Sequence, residues 1–193
     1  MDSAIYRGQF SQAAAPLVLR LRGNASHRMD VTEVALRLGV RVLRKPLPRG
    51  ILGVTNTSAE VAIATGLQAQ DARFVLAHEL GHVLARRNEA GMMRSREEEC
   101  FADAFARELL LPANLLLAEE IERITALSQE YDVWPEVTAL QFANIGRLPD
   151  IMRNQAGGVL CVHCGSRTGL TSCTCLRFRQ RPDLPLPMAP MAA

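Results

Sequence analysis

Apolar and polar residues follow two different periods along the chain, and the change falls near residue 70. Between residues 40 and 66, short β-branched runs alternate with prolines and glycines. This pattern is typical of short strands separated by turns. It predicts two or three antiparallel strands, at about residues 40–43, 51–55 and 61–64.

Helices are predicted on both sides of these strands. The first has Asp30 or Thr32 available as an N-cap, and Gly39 lies where that helix would end. The others follow the strands, where apolar residues recur at helical spacing. The predicted helices span about residues 29–40, 70–87, 95–112, 113–129 and 135–144. Together these elements predict an α+β fold in which a small antiparallel sheet packs on a helical core.

The composition is that of a folded protein rather than a disordered one, with 48% hydrophobic and 22% charged residues. A chain of 193 residues can form one domain with a core and a small appendage. The net charge of +2 gives no strong field to attract nucleic acid or a membrane surface. The N-terminus is a poor signal peptide and the cysteine count is odd, so we expect a cytoplasmic protein.

The most informative stretch is His78-Glu79-Leu80-Gly81-His82, an H-E-x-x-H pattern inside the third predicted helix. Residues four apart share a helix face, so His78 and His82 can both bind one ion. Glu79 projects to the side, where its carboxylate can take a proton from a water on the metal. Two histidines can also take this spacing by chance in an ordinary buried helix. A catalytic zinc needs a third protein ligand.

The next predicted helix carries the acidic residues Glu97, Glu98 and Glu99, with Asp103 four residues beyond the last of them. Glu99 and Asp103 share a helix face, which allows Glu99 to bind the ion and Asp103 to accept a hydrogen bond from a ligand histidine. For Glu97 and Glu98 the interpretation is a solvated first turn stabilised by the helix dipole.

The segments RFVLAHELGHVL and EEECFADAFARELLLP together resemble the ImmA/IrrE family of metallopeptidases, over about residues 30–146. The resemblance implies a gluzincin-like centre with His78, His82 and Glu99 as zinc ligands, Glu79 as general base and acid, and Asp103 in support. It also implies a zinc-dependent regulatory endopeptidase. Its substrate would be a cognate helix-turn-helix repressor or an antitoxin-like protein.

A second cluster of metal-binding residue types lies near the C-terminus. Two close pairs, Cys161 with Cys164 and Cys173 with Cys175, can hold a second, structural zinc in a zinc-ribbon-like element, with His163 as an alternative ligand. Reduced thiols and a redox switch are the alternatives. Nearby arginines would permit a nucleic-acid surface, although solvation of a small appendage explains them equally well.

These patterns predict four regions: a metallopeptidase domain over 1–145, a linker over 146–158, the cysteine-rich element over 159–176 and a disordered tail over 177–193. The alternative function is a non-catalytic, metal-containing regulatory module that binds a transcription regulator or nucleic acid. Glu79 argues against this alternative, because binding alone needs no base beside a ligand.

Overall fold

The computed structural model describes residues 3–23, 28–56, 59–87 and 95–145. The predicted linker, cysteine-rich element and tail lie outside these residues, and so do Cys161, His163, Cys164, Cys173 and Cys175. The second zinc site and the C-terminal boundaries therefore stay predictions.

The described chain is mostly helical and contains one small sheet. In chain order the elements are α1 (Ser3–Arg22), α2 (Val31–Arg37), β1 (Arg41–Lys45), β2 (Gly53–Thr55), β3 (Glu60–Ala64), α3 (Ala69–Arg87), α4 (Ser95–Leu110), two short 3-10 turns (Ala113–Leu116 and Ile121–Arg123), α5 (Ile124–Tyr131) and α6 (Pro135–Asn144). None of the described helices is long and apolar enough to cross a membrane.

The sheet is mixed, so the prediction of an antiparallel sheet is wrong for one of its two pairings. The strand order is β1-β3-β2. β2 pairs with β3 antiparallel, but β1 pairs with β3 in parallel, with Arg41 opposite Glu60. Pro46 and Pro48 follow β1 and cannot donate to a ladder, which disfavours a direct hairpin to β2. β3 occupies the position between them instead.

The helix over Val31–Arg37 begins as the sequence predicts. The Asp30 carboxylate accepts a hydrogen bond from the backbone N–H of Thr32 at 2.8 Å, and Gly39 follows with a φ of 64°. This is an N-cap and a left-handed C-terminal residue, the pair of signals that bound a short helix.

The predicted continuous helix over 113–129 is wrong. The backbone N–H of Ala113 donates to the Glu108 carboxylate at 3.1 Å, which directs the chain away from α4. The two turns that follow are closed by hydrogen bonds to the third preceding residue, such as Leu117 to Asn114. Regular α-helix resumes only at α5, because the 3-10 turns break the helical period.

The N-terminal helix α1 was not predicted from the sequence. Its apolar residues run together around Pro16, so no helical period is visible there. α1 packs against α4 and α6. Near its end, the buried Arg22 donates from Nη1 to the backbone oxygen of Leu109 at 2.7 Å. This long-range hydrogen bond and the burial of Ala14 and Val18 in the core, rather than local patterning, hold the helix in place.

α3 lies at the centre of the molecule, with β2 and β3 on one side and α4 on another. Its residues from Phe74 to Ala85 are all buried. At Gly81, a Cβ atom would lie 2.6 Å from the Cα of Ala102 on α4. Only glycine therefore permits this approach of the two helix backbones, which brings α4 against the face of α3 that carries the histidines.

Candidate metal centre

Three side chains predicted as metal ligands meet between α3 and α4. His78 and His82 lie one turn apart on α3, and their Nε2 atoms are 3.0 Å from each other. Glu99 reaches across from α4, with Oε2 at 3.3 Å from Nε2 of His78 and Oε1 at 3.4 Å from Nε2 of His82. All three ligand atoms lie within 4.8 Å of one another. The two helices thus place two nitrogen donors and one carboxylate around a single point.

This geometry fits a bound metal ion. Tetrahedral ligands about 2.1 Å from a zinc ion lie about 3.4 Å from one another, close to the observed separations. Each histidine also uses Nδ1 to contact a carboxylate, so the lone pair of a neutral ring remains on Nε2. The donor set of two imidazoles and one carboxylate is a common one for zinc, and it leaves a position open for water.

Asp103 lies where the sequence predicts it. Its Oδ1 atom is 2.8 Å from Nδ1 of His78, and both side chains are buried. The contact orients the first ligand ring from inside the interface between α3 and α4. Asp103 and Glu99 occupy one face of α4, so this single helix supplies both the ligand and the supporting carboxylate.

The interpretation of Glu98 as a solvated residue of a helix first turn is wrong. Its side chain is only 20% exposed, and Oε1 lies 2.9 Å from Nδ1 of His82. The Nε atom of Arg86 donates to the same oxygen, also at 2.9 Å. One signal pointed to this residue: a ligand histidine usually gives its second nitrogen to a carboxylate or carbonyl, and His82 had no assigned partner.

The ligand groups shift one another's pKa values. Burial alone would lower the pKa of His78, but in the absence of a metal ion hydrogen bonds with Asp103 and Glu99 outweigh burial and raise it to about 10, so a metal ion binds the neutral ring by displacing a proton. The pKa of His82 is raised against burial, chiefly by its hydrogen bond with Glu99. Burial would raise the pKa of Glu99, yet its hydrogen bonds with both histidines lower it strongly. Glu99 therefore stays ionised, the form that binds a cation.

Glu79 is held beside these ligands by β2. The hydroxyl of Thr55 donates to Oε2 of Glu79 at 2.6 Å and lies 3.1 Å from the Glu79 carbonyl oxygen. At Gly53, an added Cβ would lie 2.6 Å from Oε1 of Glu79 and 2.7 Å from Val75. The backbone of β2 thus packs directly on the carboxylate. Sequence reasoning missed Thr55 and Gly53, because no local pattern reveals which strand covers α3.

Two histidines one helical turn apart, a glutamate from the following helix and a second glutamate beside the first histidine define a metallopeptidase-type site of the H-E-x-x-H class. The chain belongs to the M78 peptidase family, whose model, described as the IrrE N-terminal-like domain, matches residues 35–142. The match confirms the resemblance found in the sequence and includes every residue of the centre described above. No curated protein matches the chain significantly.

Proposed function

We propose that this protein is a zinc-dependent endopeptidase that hydrolyses a peptide bond at the centre formed by His78, His82 and Glu99. Membership of a peptidase family and a ligand trio that can hold a metal ion support the proposal. The observation that carries it is the placement of Glu79, which adjoins a ligand and is held by Thr55 in one orientation. A module that only binds a partner has no use for such a carboxylate.

In this mechanism His78, His82 and Glu99 would hold the ion, while Asp103 orients the His78 ring. A bound zinc ion supplies Lewis acidity, which acidifies a water molecule and polarises the peptide carbonyl. The Glu79 carboxylate accepts the proton of the attacking water and passes it to the nitrogen of the leaving amine. The hydrogen bond from Thr55 occupies Oε2 of Glu79 and keeps the carboxylate from rotating away.

We further propose that the substrate is a cognate helix-turn-helix repressor or an antitoxin-like protein in the cytoplasm, and that cleavage regulates transcription. The support for this part is the resemblance of both metal motifs to ImmA/IrrE proteins, together with the family match over residues 35–142. The near-neutral net charge of +2 is consistent with a protein substrate rather than nucleic acid.

Peptidase activity can be tested without knowing the substrate. The zinc-loaded protein would be incubated with a peptide library from a digested proteome, and new termini would be identified by mass spectrometry. Glu79→Gln is the matched control, because it keeps the size of the side chain and the metal ligands. We expect cleavage to fall about 10²- to 10⁴-fold in this variant with zinc still bound. Equal cleavage by both proteins would contradict the role of Glu79.

The substrate class needs a second experiment. Helix-turn-helix proteins encoded next to this gene would be co-expressed with the wild type or with Glu79→Gln, and their intact masses compared. We expect a defined cleavage product only with the wild type. If library peptides are cleaved but the helix-turn-helix proteins remain intact, the substrate assignment is overturned and the peptidase assignment stands. A stable complex without cleavage in either experiment would favour the non-catalytic regulatory module.

A further inference from the structure

We propose that Glu98, held in place by Arg86, is a positioning residue for His82 and controls how long the centre retains its metal. The inference rests on the metal centre of the proposed function but does not depend on hydrolysis. It assigns a role to two residues outside the ligand set, on the rim where α3, α4 and β2 meet.

The geometry of Glu98 matches what a ligand histidine requires. Its Oε1 atom is 2.9 Å from Nδ1 of His82, so the ring donates Nδ1–H to the carboxylate. A neutral imidazole has one N–H, and placing it on Nδ1 leaves the lone pair on Nε2, which points toward Glu99 and His78. Glu98 thus selects the tautomer and the orientation that bind a metal.

Arg86 connects the contact between Glu98 and His82 to a further element of the fold. Its Nε donates to the same Glu98 oxygen at 2.9 Å, and its Nη1 donates to the backbone oxygen of Thr55 at 3.2 Å. Arg86 therefore connects α3, which carries His82, to both α4 and β2. One guanidinium holds Glu98 against the ring, and the other end of the same group attaches to the strand that holds Glu79.

A surface ion pair with no effect on the centre is the competing explanation. Exposed pairs of this kind contribute little to stability and nothing to a distant ligand. The chain offers a matched example in Glu33 and Arg37, an i,i+4 pair on α2 whose side chains are both 52% exposed. If Glu98 belongs to the same class, its removal should resemble the removal of Glu33.

The test measures metal retention rather than activity. In a Cys161→Ser/Cys164→Ser background, which removes the predicted second zinc site, zinc loss to an excess of chelator would be followed in the protein that is wild type at all other positions, Glu98→Ala, Glu98→Gln and Glu33→Ala. The absorption spectrum of bound Co²⁺ would report ligand geometry. We expect zinc loss about tenfold or more faster in Glu98→Ala, with an altered Co²⁺ spectrum. Glu98→Gln should recover most of the retention, because Arg86 donates to the oxygen that faces His82 and so keeps the amide oxygen, rather than the NH₂ group, toward Nδ1–H. Glu33→Ala should match the wild type.

A double-mutant cycle tests the part played by Arg86. Arg86→Gln should accelerate zinc loss less than Glu98→Ala does, and the double variant should be no faster than Glu98→Ala alone, since both changes act through one contact. Unfolding of the metal-free proteins would separate a general loss of stability from a specific effect on the metal.

Two results would overturn the inference, and they are distinguishable. Equal zinc retention and equal Co²⁺ spectra in the wild type and Glu98→Ala would assign Glu98 to an ordinary surface ion pair, leaving the proposed peptidase intact. If the wild type binds no metal, or if His78→Ala binds metal as well as the wild type does, the proposed metal centre and this inference are overturned together.

Discussion

The two candidate ligand histidines differ in what surrounds their outer ring nitrogens. His78 contacts Asp103 inside the helix interface, where Asp103 is 4% exposed. His82 contacts Glu98 at the rim, where Glu98 also accepts from the half-exposed Arg86. The inner half of the centre, His78 with Asp103, and the rim, His82 with Glu98, share the same chemistry, because each imidazole directs an N–H to a carboxylate. The burial differs, so a change on the inner side should affect the ligand more strongly than a change on the rim.

Gly81 lies between the two halves of the centre, and its replacement should have the largest effect. In Gly81→Ala the new methyl group would lie 2.6 Å from the Cα of Ala102, so the helix backbones must separate. Forcing extra volume into a packed core costs about 1–3 kcal/mol. The shift would also move Glu99 away from both histidines. We expect a lower melting temperature and less zinc per chain than in the wild type, measured by calorimetry and elemental analysis. Full occupancy with an unchanged melting temperature would contradict the role of this close contact.

Asp103→Asn tests the inner half alone. The asparagine amide can turn its NH₂ group toward His78, which favours the ring tautomer with the proton on Nε2, where the metal should bind. We expect zinc affinity to fall about 10- to 100-fold, more than in Glu98→Gln on the rim. Competition with a zinc-binding dye would measure both variants under the same conditions. A larger loss in Glu98→Gln would reverse the ranking of the two halves.

Thr55→Val tests whether β2 acts on Glu79 rather than on the metal ligands. Valine keeps the shape of threonine but removes the hydroxyl that donates to Glu79 at 2.6 Å. We expect kcat to fall about tenfold, the equivalent of one hydrogen bond to a charged group, while KM and zinc retention stay near the wild-type values. Thr55→Ser, which keeps the hydroxyl, should recover activity. Loss of zinc in Thr55→Val would indicate instead that β2 supports the ligands.

The sequence predicts the inner half of the centre better than the rim, and the reason is geometric. His78, Glu79 and His82 follow from helical spacing alone, and Glu99 with Asp103 follows from the same rule on the next helix. The contact of Glu98 with His82 depends on the angle at which α4 crosses α3. The contacts of Thr55 and Gly53 with Glu79 depend on which strand covers α3. These are tertiary relations that no local period encodes.

The fold likewise contains elements that the sequence predicts well and elements that it does not. α3 and α4 begin and end close to the predicted residues, because both helices are long and α4 has an acidic first turn and Pro112 just beyond its end. The parallel pairing of β1 with β3 depends on the path of the chain between the strands, and residue types do not determine strand order. α1 was missed because its packing on α4, rather than its own pattern, accounts for its position.

A buried carboxylate away from both halves provides the smallest and most specific expected effect. Glu108 accepts hydrogen bonds from the backbone of Ala113 and from Nε2 of Gln141, yet burial outweighs both and raises its pKa. A raised pKa means that the folded protein binds a proton more readily than the unfolded chain. The stability that Glu108 contributes is therefore fully present below about 4.5, the ordinary value for glutamate, and is lost as the pH rises through the folded-state pKa.

Glu108→Gln removes this titration and leaves the metal centre unchanged in both proteins. As the pH rises above about 4.5, the free energy of unfolding of the wild type should decline relative to that of Glu108→Gln, and the difference should become constant once Glu108 is ionised. Denaturant unfolding at a series of pH values would measure it, since any titration of the centre contributes equally to both proteins. Parallel stability curves would mean that the hydrogen bonds from Ala113 and Gln141, together with the charge of Arg107, fully compensate for burial. In that case Glu108 would be ionised in the core at no cost in stability.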